Sequence, residues 1–209
     1  MKSFAWNYCR TLKTRWVKFA CVAIMGLALI GGGAQAQWMP SAQEMAMLPP
    51  YCGARFEGDK SPAFRHWRSL LGEDFNHVHH YCAGLNFVSR ARRQVSRPER
   101  EGTLQAAVRE MDYVLTHARP DFSLRGEILV NRAIALSLLG KEGEAIANLE
   151  EAIRLNPRLA EAYRTLADLQ VKLKQQQKAL ATVTAGLQYV PNDRGLQRRY
   201  DELGGAKPY

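Results

Sequence analysis

The segment GEILVNRAIALSLLGKEGEAIANLEEAIRLNP, residues 126–157, is followed by a second segment of the same pattern, EAYRTLADLQVKLKQQQKALATVTAGLQYVP, residues 161–191. Five small or apolar positions recur at a spacing of 34 residues: Ala133 and Ala167, Ala145 and Ala179, Leu149 and Val183, Ala152 and Gly186, and Pro157 and Pro191. Small residues let two helix backbones approach closely, and a helix ends at or before the residue preceding a proline. The period therefore predicts stacked helical hairpins.

The two segments resemble the tetratricopeptide repeat over residues 126–193. The resemblance implies an interaction scaffold in which the first helix of each repeat lines a concave face, and it names neither a ligand nor a reaction. The sequence departs from the family pattern in two respects. The early aromatic residue is Leu129 in one repeat and Tyr163 in the other, and the glycine of the tight contact is replaced by Ala133 and Ala167.

The predicted fold is an all-α, tetratricopeptide-like helical hairpin array with two clear repeats, a degenerate N-terminal hairpin and a C-terminal capping helix. Additional helices are expected because two repeats alone leave apolar ends uncovered. The predicted organisation is a signal peptide at 1–36, a flexible arm at 37–60, an N-terminal helical block with the degenerate repeat at 61–122, the two repeats at 123–193, and the capping helix and tail at 194–209.

Three helices are predicted in the N-terminal block. The first begins after Ser61 with Pro62 in its first turn and ends at Gly72. The second runs from Phe75 to about Arg92, and the third runs from Arg100 or Thr103 to His117. The second and third helices form the degenerate hairpin.

Residues 1–36 are typical of an export signal. Five basic residues and no acidic residue precede and adjoin a run of twelve apolar residues, 19–30, and Ala34-Gln35-Ala36 follows. We predict cleavage after Ala36 and a periplasmic or secreted mature protein. The alternative is an uncleaved anchor, although a membrane-spanning helix needs roughly 20 apolar residues. The block from Trp67 through LLGEDFNHVHHYCAGL resembles the region ahead of the repeats in exported bacterial tetratricopeptide proteins.

The charge balance argues against a nucleic-acid partner. The chain has 29 basic and 20 acidic residues, and removal of the five basic residues in the signal leaves 24 against 20, a net charge of +4. This balance is ordinary for a soluble domain. The basic stretch RARRQVSRPER, 90–100, is either a solvated turn between helices or a site for acidic lipid or polysaccharide.

Two cysteines remain after signal removal. Cys52 and Cys82 form an even pair, and an oxidising compartment favours a disulfide between them. This bond would tie the irregular N-terminal part to the degenerate hairpin.

The motif NHVHHYC, residues 76–82, suggests a metal site as an alternative function. His77 and His80 share a helix face at i and i+3, and His66 is the candidate third ligand. The other interpretation is that these histidines pack among aromatic side chains. Asp59, Glu73 and Asp74 are isolated acidic residues at expected turns, and no nucleophile or phosphate-binding motif is found. The sequence therefore predicts no catalysis and no cofactor.

The candidate partner-binding residues lie on the first helices of the two repeats: Glu127 and Asn131 in the first repeat, and Arg164, Asp168 and Lys172 in the second. The last three follow one another at i, i+4 and i+8 and so form a polar stripe. The alternative is a solvated face with ordinary ion pairs. If the stripe binds a partner, charge reversal at Arg164 and Lys172 is expected to abolish capture with little effect on stability.

The predicted function is that of an exported scaffold that binds a protein or peptide partner in the cell envelope through the concave face. The first alternative is a metal- or cofactor-binding accessory protein that uses His66, His77 and His80. The second is an enzyme subunit with active residues in the N-terminal block. After cleavage of the signal, no stable membrane span is expected.

Overall fold

The computed structural model describes residues 38–205, and within this range every regular element is a helix. The α-helices are α1 (Ala42–Met45), α2 (Pro50–Phe56), α3 (Pro62–Leu71), α4 (Val78–Arg93), α5 (Arg97–His117), α6 (Arg125–Leu138), α7 (Glu142–Leu155), α8 (Ala160–Lys172), α9 (Gln176–Tyr189) and α10 (Arg194–Glu202). A 3-10 helix, Glu73–His77, directly precedes α4. No helix among the described residues is long and apolar enough to cross a membrane. The predicted signal peptide lies outside them.

Three antiparallel helical hairpins stack one after another and confirm the predicted all-α hairpin array. The pairs α4 with α5, α6 with α7, and α8 with α9 pack within their hairpins, and each hairpin packs on the next. We call α4, α6 and α8 the inner helices, because α6 contacts both α4 and α8, and we call α5, α7 and α9 the outer helices. Helix α10 packs on α8 and α9 at the C-terminal end.

The recurring small residues lie where the hairpins close. Ala133 and Ala167 are 0% exposed, and they belong to two apolar clusters that include Leu149 and Val183, respectively. At Gly186, an added Cβ would lie 2.8 Å from Cγ of Tyr163, closer than side-chain atoms approach one another. Small residues therefore recur every 34 residues because the helices approach closely at the same positions in each repeat.

The N-terminal helices match the sequence prediction with shifted boundaries. The Ser61 hydroxyl accepts a hydrogen bond from the backbone N–H of Phe64 at 2.9 Å, and Gly72 ends α3 with φ of 76°. Helix α5 begins at Arg97, earlier than predicted, because Pro98 lies in its first turn and its ring favours helical φ. The predicted second helix is divided, since His77 belongs to the 3-10 turn and α4 begins at Val78.

Within the segment predicted as a flexible arm, 37–60, the described residues 38–60 contain two helices that the sequence analysis did not predict. Ser41 and Glu44 form a capping box at α1, and α2 buries Tyr51, Cys52 and Ala54. The prolines led the sequence analysis to predict irregular chain, but a proline at the start of a helix is favourable, and Pro50 occupies that position in α2. Residues 50–56 are therefore helical and packed in the N-terminal block, and the flexibility of the arm stays a prediction.

The predicted disulfide between Cys52 and Cys82 is present, with the two sulfur atoms 2.01 Å apart. It joins α2 to α4, and both residues are fully buried. The Arg55 guanidinium adds a second connection by donating to the Asn76 carbonyl at 3.0 and 3.2 Å. Helix α2 is therefore attached to the N-terminal end of the array by a covalent bond and by hydrogen bonds.

Candidate functional site

A groove runs across the inner helices and contains two cavities. The wider cavity has a volume of about 410 Å³ and is lined by α4, α6, α8 and the segment before α2. The narrower cavity has a volume of about 190 Å³ and lies between α6 and α8. Ile134 lines both cavities, so the two cavities meet at this side chain, and we call them together the inner groove.

The narrow cavity is mainly apolar. Its walls include Ala133, Leu149 and Leu169 from the core between the repeats. Leu138 is 47% exposed at its edge, and Lys172 is also part of its lining. A cavity of this size and character fits one apolar side chain with polar groups at its rim.

The predicted binding residues Glu127 and Asn131 line the wide cavity but also serve the fold. The Tyr51 and Tyr81 hydroxyls donate to Oε1 of Glu127 at 3.2 and 3.1 Å. Nδ2 of Asn131 donates to the Tyr81 oxygen at 2.8 Å. Burial raises the pKa of both tyrosines well above the ordinary value, so the hydroxyls stay protonated and donate. Glu127 therefore connects α2 and α4 to α6 through hydrogen bonds.

The predicted polar stripe on α8 is engaged with neighbouring elements. Arg164 pairs with Glu161 and donates to both oxygens of Asp193 at 3.0 Å. Asp168 lies 2.5 Å from Arg199 on α10. These contacts hold α10 against α8, because Asp193 also caps α10 by accepting from the Leu196 N–H.

Lys172 completes the same stripe and connects α8 to the preceding repeat. Its Nζ donates to Glu142 at 3.1 Å and to the Ser137 carbonyl at 3.2 Å. Charge reversal at Arg164 and Lys172 is therefore expected to lower stability, contrary to the expectation from sequence. Capture by such a variant does not test binding separately from folding.

The histidines proposed as a metal site do not converge. His66 is exposed on α3 beside Trp67. His77 lies 5.9 Å from the Tyr113 ring, and His80 stacks on that ring at 3.7 Å with its Nδ1 2.6 Å from Glu110. Within residues 38–205, no group of three histidine, cysteine or acidic side chains is placed to hold a metal ion. The metal-binding alternative therefore finds no support in the described part of the chain.

His79, which lies between His77 and His80 in the sequence, is half-buried on α4. Burial lowers its pKa to about 4, with a further contribution from the charge of Arg55. Between about pH 4 and pH 6.5, the folded protein therefore keeps His79 neutral. In the unfolded chain, where the pKa is 6.5, His79 takes up a proton in the same interval.

We expect the free energy of unfolding to fall as the pH decreases from about 6.5 to about 4, because the unfolded state binds a proton at His79 that the folded state excludes. Urea denaturation at pH 7 and pH 5 measures this loss. A His79→Gln variant should lose less stability across that interval than the wild type. The matched control, exposed His66→Gln, should behave like the wild type, and equal losses in all three proteins would contradict the assignment to His79.

The isolated acidic residues do not form an acid–base pair. Glu73 pairs with Arg68, and buried Asp74 accepts from Nε of Arg119 at 3.1 Å. Asp59 is exposed in the turn before α3. Their contacts correspond to the ordinary structural roles of turn and surface residues.

Sequence reasoning missed an ion-pair cluster at the edge of the wide cavity. Glu44 binds Arg90 through two hydrogen bonds of 2.7 Å, and Arg93 lies 3.4 Å from the same carboxylate. The available signal was Ser41-x-x-Glu44, a capping-box pattern that marks a helix start in the predicted arm. Two residues of the basic stretch 90–100, Arg90 and Arg93, therefore form ion pairs within the fold.

No family model matches the chain. Over 80 residues it is 31% identical to the Hsp70-Hsp90 organizing protein of Triticum aestivum, a match that covers 36% of this chain and 14% of the wheat protein. The chain therefore spans about a seventh of the length of this curated relative. The match agrees with the tetratricopeptide-like fold that the stacked hairpins define.

Three solved structures also show similarity to the chain. The first TPR of Spaghetti (RPAP3), bound to an HSP90 peptide, is 18% identical with a TM-score of 0.42, covering 57% of this chain and 91% of that one. The Sgt2 TPR domain of Aspergillus fumigatus is 20% identical with a TM-score of 0.43, covering 57% and 76%. The second TPR domain of human RPAP3, in complex with an HSP70 peptide, is 15% identical with a TM-score of 0.42, covering 59% and 99%.

Proposed function

We propose that the protein is a non-enzymatic scaffold that binds an extended segment of a partner protein in the inner groove. The observation that carries this proposal is that the two cavities share Ile134 and that their linings together come from three successive inner helices. An extended segment can place one side chain in the narrow apolar cavity while its backbone continues into the wide one. The local similarity to a protein named for organising Hsp70 and Hsp90 is consistent with a scaffold.

The proposed location is the cell envelope, in the periplasm or outside the cell. Support comes from the predicted export signal at 1–36 and from the disulfide between Cys52 and Cys82. Structural disulfides are stable in oxidising compartments and rare in the cytosol. The proposed partner is therefore another envelope protein or a peptide of that compartment.

A groove-filling substitution tests the binding surface. Thr165 is half-exposed and lines the narrow cavity, so Thr165→Arg introduces a long charged side chain there. Peptides selected on the wild-type protein from a random phage-displayed library should bind this variant at least about tenfold more weakly, a change of about 1.4 kcal/mol in binding free energy. Fluorescence anisotropy with labelled peptides measures the dissociation constants.

The matched control is Thr184→Arg, which makes the same exchange at an exposed position of the outer helix α9. This control should bind the selected peptides as tightly as the wild type. Thermal unfolding of both variants verifies that they remain folded. If the peptides bind Thr165→Arg and the wild type equally, or lose affinity only for Thr184→Arg, the inner groove is not the binding surface.

A further inference from the structure

The chain's own N-terminal segment forms part of the inner groove. Residues 39–49 are the part of the predicted flexible arm that precedes α2, and from here on we call this shorter segment the arm. Four of its residues, Glu44, Met47, Leu48 and Pro49, line the wide cavity opposite side chains of α4 and α6. The wall of the wide cavity is therefore formed in part by a short segment that lies outside the three hairpins.

A carboxylate–arginine contact attaches the arm to α4. The Arg90 Nε and Nη2 atoms donate to the two oxygens of Glu44 at 2.7 Å each, and Arg93 Nη2 donates to one of them at 3.4 Å. The Glu44 and Arg90 side chains are only 17% and 16% exposed, so water screens their contact weakly. The hydrogen bonds from Arg90 hold the pKa of Glu44 far below its ordinary range.

The arm is also attached at its N-terminal end, where Pro40 is buried and Arg90 Nη2 donates to the Met39 carbonyl at 3.3 Å. None of residues 41–49 is buried, and Met47 is 77% exposed. The disulfide at Cys52 fixes only the chain beyond the arm. Residues 41–49 thus form a short segment between buried Pro40 and the disulfide-bonded helix α2, and the ion pairs of this segment with α4 are made by Glu44.

We infer that Arg90 and Arg93 form a carboxylate subsite of the inner groove, which Glu44 occupies until an acidic side chain of a partner segment displaces it. The inference rests on the proposed function and specifies the partner chemistry. The partner segment carries a glutamate or aspartate followed three to five residues later by apolar residues, as Glu44 is followed by Met47, Leu48 and Pro49. Paired guanidinium groups match a carboxylate in both charge and geometry.

The arm itself supplies the probe. A fluorescein-labelled peptide of residues 39–50, MPSAQEMAMLPP, is titrated into the full chain as wild type and as Glu44→Ala. In the wild type, the tethered arm competes at an effective concentration in the millimolar range. We expect the peptide to bind Glu44→Ala at least about tenfold more tightly than the wild type, because that variant lacks the carboxylate that competes with the peptide for Arg90 and Arg93.

Two matched controls isolate the carboxylate contact. Glu57→Ala removes an exposed acidic residue just after α2, and it should bind the peptide as weakly as the wild type. A probe peptide with glutamine at the position of Glu44 keeps the shape without the charge, and it should lose at least about tenfold in affinity for Glu44→Ala. Circular dichroism and thermal unfolding confirm the folding of each protein.

Equal affinity of the probe for wild type, Glu44→Ala and Glu57→Ala overturns the inference. Equal binding of the glutamate and glutamine probes to Glu44→Ala also overturns it. Either result leaves the proposed function in place if library-selected peptides still discriminate Thr165→Arg from Thr184→Arg. If the library-selected peptides bind Thr165→Arg and Thr184→Arg equally, the proposed function is wrong. Failure of the inference and failure of the proposed function therefore give different results.

Discussion

Replacement of Cys52 and Cys82 together by alanine is expected to lower the free energy of unfolding by about 3 to 4 kcal/mol, the loop-entropy estimate for a cross-link spanning 30 residues. The bond restricts the unfolded chain between α2 and α4, and its removal also leaves the buried contacts of both sulfur atoms unfilled. This loss exceeds what surface substitutions cost. Urea denaturation under non-reducing conditions, with wild type and double variant in parallel, measures it.

The control for this prediction is reductant. Dithiothreitol should destabilise the wild type by a similar amount and leave the double variant unchanged, because only the wild type holds a bond to reduce. A thiol assay on the denatured, unreduced wild type should find Cys52 and Cys82 unreactive. Reactive thiols at both positions would contradict the disulfide. The same conclusion would follow if dithiothreitol did not change the free energy of unfolding of the wild type.

Ala133→Leu and Ala167→Leu are each expected to destabilise the array by about 1 to 3 kcal/mol, because a larger side chain in a filled interior separates packed helices. Both alanines are 0% exposed. Ala133 lies in the cluster that joins the first repeat to its neighbours, and Ala167 lies in the cluster of the second repeat. Thermal and urea unfolding followed by circular dichroism measures the loss.

The matched controls make the same exchange at exposed alanines of the outer helices. Ala147→Leu on α7 and Ala181→Leu on α9 should unfold near the wild-type midpoint. Leucine is almost as favourable as alanine in a helix, so propensity alone predicts little change at either control position. Midpoints of Ala133→Leu and Ala167→Leu equal to those of the controls would show that the repeat register is wrong.

The hairpins were predictable because helical phase is a local property of the sequence. The spacing of 34 residues between Ala133 and Ala167, and between Pro157 and Pro191, identifies which helix faces meet without knowledge of any distant contact. The same pattern in the degenerate hairpin is weaker, and the start of its second helix was accordingly placed late. Pro98 was the local signal for the observed start at Arg97.

The order of the N-terminal segment was not predictable from local pattern. The hydroxyl of buried Tyr51 donates to Glu127, which lies 76 residues further along the chain. Glu44 accepts from Arg90, which lies 46 residues further along the chain. Neither partner shares a periodicity with the segment. Prolines at 40, 49 and 50 indicate interruptions of regular structure, but they do not indicate what the intervening residues contact.

The stripe on α8 illustrates the same limit for the candidate site. The spacing i, i+4 and i+8 places Arg164, Asp168 and Lys172 on one face, but it does not specify the partner of each charge. The structure pairs Arg164 with Asp193, Asp168 with Arg199, and Lys172 with Glu142. Binding by this stripe stays a prediction, whereas its contribution to the packing of α10 and α8 follows directly from the contacts.

The central claim is that a partner segment occupies the inner groove, and site-specific photocross-linking tests it most directly. A benzophenone amino acid is placed at position 165 in the narrow cavity or at position 184 on the outer helix α9. Each protein is irradiated with the same library-selected peptide, and mass spectrometry locates the cross-links. The account predicts cross-linked peptide from position 165 and none above background from position 184, whereas cross-links from position 184 alone, or from neither position while the peptide is bound, would contradict it.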